Sequence, residues 1–84
     1  MKKLSKKILK YTVIFEPAKE GGYIVSVPAL PGCITEGDTF EQALEMVKDA
    51  IAGYLASLKK HGEEIPVENA PSVMSTVDIP YPTP

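Results

Sequence analysis

Tyr11, Val13 and Phe15 alternate with Thr12, Ile14 and Glu16, which is the period-two pattern of a strand, and Pro17 closes the run. The alternation returns at Tyr23, Val25 and Val27 against Ile24 and Ser26, after a loop from Ala18 to Gly22 whose two glycines tolerate positive φ. These two runs predict a hairpin. Pro28 and Pro31 lack amide donors and hold the residues before them extended, so Pro28 to Gly32 predicts a rigid connection, followed by a short third strand over Cys33 to Glu36. Then the period changes. Phe40, Leu44, Val47, Ile51, Tyr54, Leu55 and Leu58 recur at spacings of three and four, with Ala43 on the same flank, and draw one apolar stripe over about six helical turns. Asp38 and Thr39 are both good N-caps, with Glu41 and Gln42 at the respective capping-box positions. Lys59, Lys60 and His61 complement the carbonyl end of the helix dipole, and Gly62 is the expected stop. A loop with Pro66 and Pro71 follows, and Val73, Ser75, Val77 and Ile79 permit a last strand before Pro80, Pro82 and Pro84 forbid regular structure.

The elements add up to a two-layer α+β domain of order β-β-β-α-β, an antiparallel sheet carrying one long helix. Residues 1–10 read as a basic N-terminal extension, 11–79 as the domain and 80–84 as a proline-rich tail. Leu44, Val47, Ile51 and Leu55 are expected to lie against the sheet. Ile14 and Ile24 fall on the face opposite Phe15 and Val25, so apolar residues remain wherever the helix is not. Self-association, as a dimer or a tetramer, or a partner protein would cover them.

The chain has 84 residues, enough for one domain with a small core. No apolar run approaches the roughly 20 residues that span a bilayer, and no signal core follows the lysines, so a cytoplasmic protein without membrane contact is expected. Cys33 is the single cysteine; it can form no internal disulfide, rules out a zinc site built on paired cysteines, and reads as a small buried hydrophobe. His61, the only histidine, sits at a helix end without a nucleophile motif, so a triad is not assembled. The expectation is no catalytic residue, no metal and no cofactor. Charge is asymmetric: five of nine lysines precede residue 11, and from there on four lysines face eleven acids, a net charge of −7. Such a body repels phosphates, and there is no arginine to read them, so direct nucleic-acid binding is not expected. Glu36, Asp38, Glu41, Glu45 and Asp49 instead form a candidate acidic edge on which a basic protein could be steered and held.

Four features taken together carry a family resemblance: Gly21, Gly22 and Tyr23 at the start of the second strand; Val27, Pro28, Ala29, Leu30, Pro31 and Gly32 leading to Cys33; Gly37, Asp38 and Thr39 before the helix with Ala43; and Gly62 through Pro66 after it. Over roughly residues 11 to 79 the string resembles the HicB antitoxin family of type II toxin-antitoxin systems, in a short form without a C-terminal DNA-binding domain. The resemblance implies a domain similar to a truncated ribonuclease H fold that binds a small basic HicA toxin and blocks its cleavage of messenger RNA. Nuclease activity is not implied, because Tyr11 to Phe15 hold no acid at the centre of the first strand. The alternative is a stand-alone homo-oligomeric module of the same kind, regulatory or ligand-binding, without a toxin.

Overall fold

The computed structural model describes residues 8–68 and 72–84. Lys2, Lys3, Lys6 and Lys7 of the basic extension and Pro71 of the long loop lie outside them. Three strands, β1 (Ile14–Pro17), β2 (Tyr23–Ser26) and β3 (Ile34–Gly37), form an antiparallel sheet in the order β1-β2-β3, and one helix, α1 (Phe40–Lys60), packs on β3 and, less extensively, on β2. The register sets Phe15 opposite Val25 and Val25 opposite Thr35, while Ile24 lies between Glu16 and Glu36.

The first strand is shorter than the alternation predicts, and the reason lies across the ladder. Continuing the register would put Val13 beside Val27 and Thr12 beside Pro28, but Pro28 has no N–H to give to the ladder and the Thr12 N–H already donates to the Glu68 carboxylate at 2.8 Å. The connection is two successive turns, with Leu30 N–H donating to Val27 O (2.9 Å) and Cys33 N–H to Leu30 O (3.0 Å). Pro31 and Gly32, the latter at φ +82°, fill the central positions of the second turn as a type II turn requires. That turn uses the Cys33 amide, so β3 begins one residue later than expected, at Ile34.

At the helix start Thr39 is the cap: Gln42 N–H donates to Thr39 Oγ1 at 3.0 Å, and Gln42 Oε1 accepts from the Asp38 N–H at 2.6 Å. Of the two candidate boxes, the Thr39–Gln42 pair is the one that forms, and the Asp38 carboxylate is left out of it. At the other end Gly62 N–H donates to Lys59 O (3.1 Å) and Glu63 N–H to Leu58 O (2.9 Å), the paired bonds of a Schellman motif.

The core is Val25, Val27, Leu30, Cys33, Ala43 and Val47. Leu44, Ile51 and Leu55 pack against it half-buried, as the helical stripe predicts, with Val47 the deepest of that set. Phe15 stacks on Phe40 with ring centroids 4.6 Å apart, and Tyr23 meets both rings edge-on at 6.2 Å, so an aromatic cluster extends the core toward β1. Residues 73–79, with the alternation of a strand, join no ladder in the single chain: 72–84 are all exposed and outside any helix or strand.

Candidate functional site

The geometry around the acidic edge depends on three small residues in a row. A Cβ on Gly22, at φ +77°, would sit 2.5 Å from the Gly37 carbonyl oxygen, and a Cβ on Gly37 would sit 2.4 Å from the Ala43 backbone nitrogen. Both obstacles are backbone, which cannot rotate away, so the first hairpin, the end of β3 and the first turn of α1 meet only because no side chain stands between them. Their approach makes a shallow cleft lined by Ala18, Glu20, Tyr23, Glu36 and Asp38 among others. Glu20 was absent from the sequence-based candidates, since only the folding of the hairpin against β3 brings it near Glu36.

All five candidates, Glu36, Asp38, Glu41, Glu45 and Asp49, are exposed. They do not converge. Glu36 shares a cross-strand row with Ile24 and Glu16 on the sheet face turned away from the helix. Glu41, Glu45 and Asp49 follow at four-residue intervals along α1, a polar stripe about 12 Å long at 1.5 Å per residue. Asp38 stands in the loop between. Glu45 pairs with Lys48 at 3.4 Å, an exposed contact of small energetic weight that offsets one of the stripe's three negative charges. Among the described residues, Glu36, Asp38, Glu41 and Asp49 have no cationic partner, and no group of His, Cys, Asp and Glu is arranged to hold a metal ion.

The outer sheet face is partly apolar. Ile24 is 41% and Ile34 63% exposed, and the rows across it read Ile14, Ser26, Ile34 and then Glu16, Ile24, Glu36. Isoleucines flanked by carboxylates form a surface that suits a partner with apolar and basic groups. Ile14 and Ile24 are expected there from alternation; Ile34 joins them because β3 places Cys33 in the core and its neighbour outside.

At the far end of β1 the chain after the helix is pinned back. Thr12 gives both its N–H (2.8 Å) and its hydroxyl (2.6 Å) to the Glu68 carboxylate, and the Tyr11 hydroxyl donates to the Pro66 carbonyl. The hydrogen bonds from Thr12 hold the Glu68 carboxyl below its ordinary range, while burial, with the Glu68 charge beside it, pushes the Tyr11 phenol up. Nothing in the sequence pattern marks this pair, which lies 56 residues apart. Burial also raises the Cys33 thiol, in keeping with the inert buried hydrophobe expected there. The His61 Nδ1–H donates to the Ser57 carbonyl at 2.8 Å and closes the helix end, so the only histidine is a capping group.

One helix on a three-stranded antiparallel sheet, with an acid-flanked outer face left open, defines a small two-layer α+β protein whose candidate surface is exposed sheet and helix. Residues 11–80 match the family described as HicB_like antitoxin of bacterial toxin-antitoxin system. The chain belongs to this family. It is similar to the UPF0150 protein Ta0767 of Thermoplasma acidophilum, 52% identical over 65 residues that make up 77% of this chain and 94% of the relative. It is also similar to Antitoxin HicB 1 of Photorhabdus laumondii, 42% identical over 88% of this chain and 47% of the relative. Antitoxin HicB of Escherichia coli is 36% identical over 83% of this chain and 49% of the relative. The chain thus spans about half the length of the two relatives that bear the antitoxin name. No helix among the described residues is long and apolar enough to cross a membrane.

Proposed function

We propose that this chain is an antitoxin that binds a small basic HicA-type toxin in the cytoplasm and neutralises its cleavage of messenger RNA by occlusion, without chemistry of its own. The observation that carries the reading is the family match over residues 11–80. The charge from residue 11 onward, −7, supports it independently, because a basic ribonuclease is the kind of partner such a surface attracts. The exposure of both sets of residues supports a division of labour between them. Glu36, Asp38, Glu41, Glu45 and Asp49 steer the toxin, and the isoleucines of the outer sheet face hold it once docked.

The test is expression of any short basic reading frame found beside this gene, alone and together with this chain, in a bacterial host. Growth arrest with loss of messenger RNA is expected from the toxin alone, and restored growth with a co-purifying complex from the pair. Arrest that persists in the presence of this chain, with no complex on size exclusion, would transfer the function to a stand-alone homo-oligomeric regulatory module.

A further inference from the structure

Residues 73–81 carry five large apolar side chains in water: Val73 is 92% exposed, Met74 73%, Val77 79%, Ile79 76% and Tyr81 88%. A soluble surface rarely concentrates so many within nine residues unless something covers them. The pattern is that of a strand. Val73, Ser75, Val77 and Ile79 share one side, Met74, Thr76 and Asp78 the other, and β-branched residues predominate. Yet the only hydrogen bond recorded within the segment is a local one, from the Ser75 hydroxyl to the Thr76 carbonyl.

The same chain has an open place for a strand. In the order β1-β2-β3, β1 is an edge, its outer row of backbone groups unpaired, and the helix lies over β3 and β2 instead. The Thr12–Glu68 hydrogen bonds bring the returning chain to the start of β1, where Ser72, Val73 and Met74 share a groove with Thr12, Val13, Ile14 and Pro28. From there the segment leaves the body and does not run along its own edge. Every residue from 72 to 84 is exposed, and none makes a backbone hydrogen bond to β1.

Charge narrows what can receive it. The surface beyond residue 11 is acidic, so two copies repel if their helix stripes or outer faces meet, but residues 72–84 contain one acid, Asp78, and no base. The tail is the one part of the described surface that combines large apolar area with almost no charge. We propose that residues 73–79 of one copy add as a strand to the β1 edge of a second copy, reciprocally, so that each sheet of the dimer has four strands. Each copy then supplies one strand and one edge, the exchange closes with two-fold symmetry, and both β1 edges are occupied. This inference does not depend on the toxin reading.

The experiment uses the full chain. Sedimentation equilibrium from micromolar to millimolar concentration is expected to show a dimer, and Val77→Pro, which removes a ladder donor from a residue 79% exposed within its own copy, is expected to weaken dimerisation by at least about tenfold with unchanged helical circular dichroism. Mixed dimers of isotope-labelled and unlabelled chains are expected to give filtered NOEs between residues 73–79 of one copy and Ile14 or Phe15 of the other. A monomer throughout the range overturns the proposal. So does a Val77→Pro chain that dimerises like the parent, and so do NOEs from the tail to β1 confined to a single copy, which would mean that the strand closes on its own sheet.

Discussion

Gly37 is where a single methyl group matters most. An added Cβ meets the backbone of Ala43 at 2.4 and 2.6 Å, so Gly37→Ala must push the helix off β3 and is expected to cost about 1 to 3 kcal/mol in urea melts. Gly53 supplies the control. It lies inside α1 with nothing within 4 Å of the added atom, and Gly53→Ala is expected to stabilise by about 0.5 to 1 kcal/mol. In the sequence both are glycines, and Gly37 reads only as the residue before a helix cap; the contact that distinguishes them joins parts of the chain whose distance the pattern does not encode. Glu68 is similar. Its carboxyl is held below the ordinary 4.5 by Thr12, so its folded-state contribution is fully present above that pH and is lost as pH falls through the lowered value. Glu68→Gln should therefore flatten the acid limb of stability measured by thermal melts between neutral pH and pH about 3, leaving the neutral-to-alkaline side parallel to the parent.

At the level of elements, the helix was legible almost to the residue, because its stripe, its caps and its stop all have period or chemistry of their own. Its predicted start and end agree with Phe40–Lys60. What the pattern left open was which of two adjacent caps is used. Thr39 closes the first turn through its hydroxyl, so Thr39→Ala is expected to destabilise by about 0.5 to 2 kcal/mol, whereas Asp38→Ala, whose carboxylate is outside the box, should change stability by less than about 0.5 kcal/mol. Circular dichroism melts of the two variants separate the structural residue from the one free for a partner. The strands were legible as runs but not in their ends. Pro28 to Gly32 reads as a rigid connection and is one, yet it also delivers Leu30 to the core fully buried, so Leu30→Ala is expected to cost about 2 to 5 kcal/mol. A lone leucine between prolines has no periodicity with which to announce that.

For the whole molecule, the acidic candidates divide between the helix stripe, the loop and the outer sheet face, so a partner that used all of them would have to wrap the β3 edge. Glu45→Lys with Asp49→Lys tests the stripe alone. Both lie beyond the first turn on exposed helix, so the fold should hold, while association with the proposed basic partner measured by stopped flow at low salt should slow by about tenfold and lose much of its salt dependence. Unchanged association would move the proposed partner's docking site to the outer face around Ile24 and Ile34.

Sequence by itself determined what depends on neighbours along the chain. Alternation and the three-four spacing specify strand and helix, the prolines and Gly32 specify the connection, and the count of charges specifies an acidic body, all through local sterics and composition. Tertiary structure decided what depends on neighbours across space. The Gly22–Gly37–Ala43 approach, the Thr12–Glu68 anchor and the burial of Leu30 each join groups whose separation no period records. Residues 73–79 show the difference most directly: their pattern makes them a strand, but a strand needs a ladder, and within one copy none is formed.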